Sequence, residues 1–405
     1  MNALAAAVSL LYFFKILILL KQNKEVAMAL TLFCGSCFGF FRFATDAETY
    51  ILPLSFSLIS TYYYIRSTSI ASILIASFFS ALAVLTHQLH LWWSLAICLH
   101  LLINKNIQLS KKIGFIVLQF LIPLSYFIAF KFNQNIQTNF ITFILGEYSK
   151  GNAGIDVSFN SIILTGINSV RTIFQIHGNI GLLLERYPFV FALVFSSMVY
   201  IIFHFHKKNR LNLHMVPKKD ASTFSSLFLT AFILHLIFAF VSSGNAEFMV
   251  MLPFLAVAYF AGKFEFKSLR PALPLTLCLL IWNLSVGIVP NYFLNFNSTL
   301  AQEKMMLDNP KALFLWQNKP LIENRICYKF GFHHPYKFLD YDSLELSLKN
   351  NAVIYTDIGK TYEPINRQSF FKSPVFKFGT GIKLSKIDSF DNFYGKNYIQ
   401  LISKP

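Results

Sequence analysis

The sequence predicts a polytopic α-helical membrane protein of about ten transmembrane helices, with a small C-terminal α+β extracytoplasmic domain. Three observations carry this. The 405 residues are 55% hydrophobic and only 13% charged, where a soluble domain carries about 25% charged residues. Mean hydropathy is +0.51, and the chain supplies repeated apolar runs near the ~20 residues that a spanning helix needs. After about residue 290 the long apolar runs stop and charge rises.

The runs fall at 3–20, 27–41, 49–65, 69–86, 88–103, 113–130, 188–206, 223–242, 247–262 and 271–289, the second and ninth being short. The first has no basic segment before it and does not read as a cleavable signal peptide. A net charge of +16 could suggest nucleic acid. The cations argue against it, because they cluster in alternate short loops. Lys21 and Lys24, Arg66, Lys105 with Lys111 and Lys112, Lys207 to Lys219, and Lys263 to Arg270 follow every second run. That is the positive-inside pattern and assigns those loops to the cytoplasm.

The alternate loops then face outward. They hold TDAE (45–48), THQLH (86–90), the long stretch 131–187, SSGNAE (242–247) and everything after Pro290. The rule counts only Lys and Arg, yet it places the acids and histidines of interest on one face. Within the long stretch, GEYSKGNAGID (146–156) reads as a loop. Ile163, Ile167, Val170 and Phe174 recur at helical spacing, with Asn160, Asn168, Arg171 and Gln175 on other faces. An amphipathic helix lying in the interface, around 157–187, is expected. The division is a transmembrane domain over 1–290 and a small domain over 291–405. In the latter, 350–359 and 397–403 read as strands and 343–350 as a short helix.

Four constellations could carry chemistry. Arg42, Asp46 and Glu48 lie within FRFATDAETY (41–50). Thr45 or Asp46 can cap the next helix, where an acid suits the helix dipole. Alternatively, the carboxylates act in acid–base work or bind a divalent cation, for which oxygen ligands favour Mg²⁺ or Mn²⁺. His87 and His90 share a helical face beside Trp92 and Trp93. They read as a polar helix start at the aromatic belt, or as donors to a phosphate or sugar in an outer cavity. Arg171, His177 and Arg186 read as headgroup anchors or as recognition of a lipid phosphate. Glu247 stands at an outer helix start that Ser243 or Asn245 can cap, or serves as a second cavity carboxylate binding a sugar hydroxyl. Cys34 and Cys37 form C-x-x-C inside an apolar run with no second pair, and read as packing residues. No P-loop, dinucleotide fingerprint, G-x-S-x-G or H-E-x-x-H occurs.

These features together resemble the GT-C class of integral-membrane glycosyltransferases, related to protein O-mannosyltransferases and oligosaccharyltransferases. The stretches that carry the resemblance are FRFATDAETYILPLSFSLISTYYY (41–64), AVLTHQLHLWW (83–93) and GNAEFMVMLPFLA (244–256), and it covers roughly 1–290. It implies sugar transfer from a polyprenyl-phosphate donor to a glycan, lipid or protein acceptor outside the cytoplasm, in a bacterial inner membrane. Asp46 and Glu48 would be catalytic and metal-binding. Arg42, His87, His90, Arg171, His177, Arg186 and Glu247 would bind substrate. The class usually carries an acid in a first outer loop, and its second outer loop often carries another acidic motif. The Asp46–Glu48 loop matches the second, so a further helix and loop are expected upstream of residue 1. A transporter or flippase, or an O-antigen ligase or polymerase, is the alternative. Transporters keep charged groups near mid-span, on broken helices, whereas here they collect at one end.

Overall fold

The apolar runs fold as helices because a chain in lipid must satisfy its backbone hydrogen bonds within each segment. The computed structural model describes residues 1–46, 48–132, 139–146, 155, 157–176, 180–207, 214–218, 223–268, 272–294, 298–340, 343–358, 382–393 and 395–404. Two units divide at Ile288/Val289. His177 and most of the loop expected over 146–156 lie outside the described residues.

The first unit runs α1 (Asn2–Leu19), α2 (Lys24–Ser36), α3 (Phe38–Thr45), α4 (Ile51–Arg66), α5 (Ile70–Thr86) and α6 (Leu91–Ile103). Then come α7 (Leu109–Gln119), α8 (Leu121–Phe132), α9 (Phe140–Ile144), α10 (Phe159–Ile173), α11 (Ile180–Arg186) and α12 (Pro188–Lys207). The strand β1 (His214–Pro217) precedes α13 (Phe224–Val241), α14 (Leu252–Lys263), β2 (Phe264–Ser268) and α15 (Ala272–Trp282). A π-helical turn over Asn283–Ile288 follows. Short 3-10 turns, Gln88–His90 and Ala246–Met249, lead into α6 and α14.

About ten spans were expected; six helices among the described residues are long and apolar enough to cross a membrane, or seven if α2 and α3 count as one bent span. The shortfall is one of length. The 16 residues of α4 rise only about 24 Å, against a hydrocarbon core of about 30 Å, and α5 and α6 are also short. The second expected span, 27–41, is broken: α2 and α3 meet at 67°. Cys37 is extended at the break, and its thiol donates back to the Phe33 carbonyl at 3.4 Å. All five cysteines are free thiols.

Asn283, fully buried, ties the break to two other elements. Its Nδ2 donates to Ser36 O at 2.8 Å and to Ile173 O at 2.9 Å, and its Oδ1 accepts from Gln175 N at 2.9 Å. The bend, the end of α10 and the π-helical turn therefore share one side chain. Trp282 adds a stack on Phe174 at 4.7 Å and a hydrogen bond to Gln175 O at 2.9 Å.

The helix α10 forms where an interface helix was expected, and it is the most strongly amphipathic helix of its length in the unit. It docks on the loop before α14. Asn168 Nδ2 donates to Gly244 O at 2.7 Å. Gly244 sits at φ +67°, and a Cβ there would meet Thr165 N at 2.6 Å. Both the backbone conformation and the close approach require glycine.

The helix α1 separates two polar ends. At its start, Asn2 Nδ2 donates to the carbonyls of Asp46 at 2.7 Å and Glu48 at 2.5 Å. At its end, Lys218 Nζ donates to Leu20 O and, at 2.6 Å, to Ala261 O. Gln22 there bonds Ala261 O and Phe264 O, both at 2.8 Å. β1 and β2 pair antiparallel beside this end. The 18 residues of α1 hold the acid loop about 27 Å from these basic loops.

The second unit carries α16 (Val289–Phe293), α17 (Thr299–Asp308), α18 (Lys319–Phe330) and α19 (Leu344–Lys349). Its strands are β3 (Leu313–Leu315), β4 (Lys337–Phe338), β5 (Ile354–Thr356), β6 (Lys383–Asn392) and β7 (Gly395–Ser403). They form one sheet in the order β4-β3-β5-β7-β6, parallel across β4-β3-β5 and antiparallel beyond. Alternate residues feed opposite faces. Phe314 packs with Met306, Ile322 and Ile326 under α17 and α18, while Leu315 and Ile354 pack with Leu344 and Leu348 of α19. The buried Glu303 carboxylate is paired by Arg325 at 2.5 Å and by Lys329.

Candidate active site

The acid loop begins where α3 stops. Asp46 is extended and closes α3, and the Thr45 hydroxyl bonds back to Arg42 O at 2.9 Å. Neither residue caps the next helix, contrary to the capping expected from sequence. α4 begins at Ile51 behind Tyr50, with no side-chain cap. α3 ends at Thr45 and α4 begins at Ile51, so both acids stand in the five-residue connection, outside any first turn. Arg42 Nε lies 3.8 Å from Asp46 Oδ2, one turn apart on α3. A cavity of about 630 Å³ opens over the loop, walled by Asn2, Thr45, Asp46, Glu48, Thr49 and Thr86. Its size is that of a small-molecule site.

Glu247 joins this loop from nearly two hundred residues away. Asn245 caps its turn, accepting from Glu247 N at 3.0 Å, so the capping reading holds for Asn245. The Glu247 carboxylate is left for another partner. It accepts from the Tyr50 hydroxyl at 2.7 Å. The Tyr50 ring lies against His87, centroids 4.9 Å apart, and against Phe43 at 4.8 Å. Burial, the hydrogen bond to Glu247 and that carboxylate's charge together hold the Tyr50 phenol protonated, well above its usual range. Tyr50 is thus a fixed donor. Sequence reasoning passed over it, since a tyrosine two residues after an acid carries no spacing signal.

Electrostatics bind the rest into one group. Burial raises the Glu48 carboxyl above its usual value, the charges of Glu247 and Asp46 raise it further, and Arg42 opposes them. Burial and the Arg42 charge lower Arg171, with Glu247 opposing. Among the described residues Arg171 makes no ion pair of its own. Burial lowers the His87 imidazole against the pull of Glu247. Its Nδ1 accepts from Leu89 N at 3.2 Å, so the neutral ring carries its proton on Nε2 and is a donor.

Arg42, Asp46, Glu48, His87, Arg171 and Glu247 therefore gather at one end of the bundle. His90 does not stand with them. It is 1% exposed, with Nδ1 2.8 Å from Ser57 Oγ, and cannot touch a ligand in the outer cavity as the sequence suggested. His87 is the reason: it stands in extended conformation ahead of the 3-10 turn Gln88–His90, at φ −154° and ψ 119°, so the two histidines do not lie on one helical face. Arg186 is exposed on the last turn of α11.

As a cation site the loop is partial. No three His, Cys, Asp or Glu side chains among the described residues come together to hold a metal ion. Mg²⁺ commonly takes one or two carboxylates and completes its shell with water and substrate phosphate. Asp46 and Glu48 fit that role and no larger one. Comparisons with protein-family models, with curated proteins and with solved structures find no match.

Proposed function

We propose that this protein is a membrane glycosyltransferase of the GT-C kind, moving a sugar from a polyprenyl-phosphate donor to a glycan, lipid or protein acceptor outside the cytoplasm. The observation that carries the reading is the convergence of Asp46, Glu48 and Glu247 with Arg42 and Arg171 at the bundle end opposite the basic loops. In this reading that end faces outward from a bacterial inner membrane, together with the second unit, because Lys and Arg mark the cytoplasmic loops.

Each residue then has a task. Arg42 and Arg171 meet the donor phosphate, for which the guanidinium fork is suited. His87 adds an Nε2–H donor. Glu48, made more basic by its neighbours, takes the acceptor hydroxyl proton as the new glycosidic bond forms. Glu247, oriented by Tyr50, accepts from a sugar hydroxyl. Mg²⁺ or Mn²⁺ held by Asp46, with Glu48 kept as the base, would supply charge neutralisation at the phosphate. Fixed donors aimed at the departing phosphate are the electrostatic part of such catalysis.

The test is transfer of labelled sugar from a polyprenyl-phosphate donor by the protein in nanodiscs. Asp46→Asn with Glu48→Gln should abolish transfer while the protein still inserts and still unfolds in one cooperative transition. Full activity in that double variant would sink the reading. A transporter is favoured by one observation, the burial of His90 and His235 inside the bundle. It requires flux of a lipid-linked sugar that survives loss of the acid pair.

A further inference from the structure

Within the bundle lies a second polar group. His90 and His235 are 1% and 0% exposed, and their ring centroids are 6.1 Å apart. Trp93 touches both, stacked on His90 at 6.3 Å and edge-on to His235 at 6.2 Å. Its Nε1 donates to Thr61 Oγ1 at 3.0 Å, and Thr61 donates to Ser57 O at 2.8 Å. Ser57 Oγ meets His90 Nδ1. Every polar atom in this chain has a partner until the two imidazoles face the interior. His90 Nε2 and both nitrogens of His235 have none.

A neutral imidazole presents one N–H and one lone pair. When the Ser57 hydroxyl donates to Nδ1, 2.8 Å away, the His90 proton sits on Nε2. His235 offers a lone pair and an N–H. A direct N–H···N bond would bring facing rings to centroids about 5 Å apart; at 6.1 Å the rings are spaced for one intervening oxygen. Two histidines with no third donor do not make a metal site among the described residues. Buried polar groups that lack a protein partner are characteristically met by internal water.

We infer that His90 and His235 form an internal site for one water molecule, with His90 Nε2–H donating to its oxygen and the water donating to a His235 lone pair. His87 precedes this site in the chain, and its carbonyl accepts from His90 N at 3.0 Å. The groups facing the pair are Ser57 and Thr61 from α4, Trp93 from α6, and His87 as the titratable neighbour. The site does not depend on the glycosyltransferase reading.

The test is solid-state NMR of the full chain in nanodiscs with ¹⁵N-histidine and ¹³C-tryptophan. Trp93 is the tryptophan that contacts two histidine rings among the described residues, so Trp–His correlations assign both without a variant. Water-edited spectra should show transfer from water to His90 Nε2 and to one His235 nitrogen. In His235→Phe, transfer to His90 Nε2 should fall at least several-fold. Absence of water transfer to either ring in the wild-type protein overturns the proposal. So does a metal-shifted nitrogen resonance that chelator removes.

Discussion

The Tyr50 hydroxyl donates to the Glu247 carboxylate at 2.7 Å, joining residues 197 positions apart. This bond brings the loop before α14 to the acid loop before α4, and it fixes which way Glu247 points. Tyr50→Phe removes the donor and leaves the ring contact with His87. A hydrogen bond to a charged group contributes about 1.5–3 kcal/mol, and about 1.4 kcal/mol is tenfold in rate. Sugar transfer should fall roughly 10- to 100-fold in kcat/KM, with the fold intact by circular dichroism.

Glu48 should make stability depend on pH in a particular sense. Its carboxyl is raised in the folded protein above the usual 4.5. Below 4.5 it is protonated in both states and exerts no effect. As pH rises, the unfolded chain ionises first, so stability is lost until the folded carboxyl ionises too. Glu48→Gln should therefore raise the melting temperature at pH 7.5 and leave it unchanged at pH 4. Melting curves across that range in one detergent decide it, and equal shifts at both ends would refute it.

Arg171 separates charge from geometry. Arg171→Lys keeps the cation and loses the two-pronged fork, so the donor KM should rise about tenfold while kcat changes little. Arg171→Ala should lower both affinity and rate, by roughly 100-fold in kcat/KM. Initial rates against donor concentration distinguish the two.

Gly244→Ala should detach the amphipathic helix from the acid site. The methyl would meet Thr165 N at 2.6 Å, at a φ of +67°. Positive φ in a non-glycine residue costs about 1–2 kcal/mol, and the clash adds to it. The protein should lose roughly 2–4 kcal/mol, read as a lower melting temperature and as protease sensitivity in α10.

Much of the bundle was legible in the sequence, because apolar runs in lipid leave the backbone little choice but helix. The charge pattern also put the acids of 46–48, His87 and Glu247 at one end. Three things were not legible. The 67° bend at Ser36–Phe38 is stabilised by Asn283, and a hydrogen bond across that separation leaves no local pattern. The divergence of His87 and His90 depends on the extended backbone at His87, which their spacing does not reveal. The role of Tyr50 follows from Glu247, 197 residues away, and has no local pattern either.

The placement of Asn283 bears on how the site is built in time. Its amide holds the bend after Ser36 and the end of α10, yet it is synthesised 247 residues after Ser36. A nascent chain can insert α1 to α6 and still lack the clamp that sets the direction of α3. The acid loop is therefore presented in its final pose only after α15 has left the ribosome and packed. An Asn283→Leu protein should insert normally and yet hold its carboxylates in more than one arrangement, which would make this residue a late checkpoint in biogenesis.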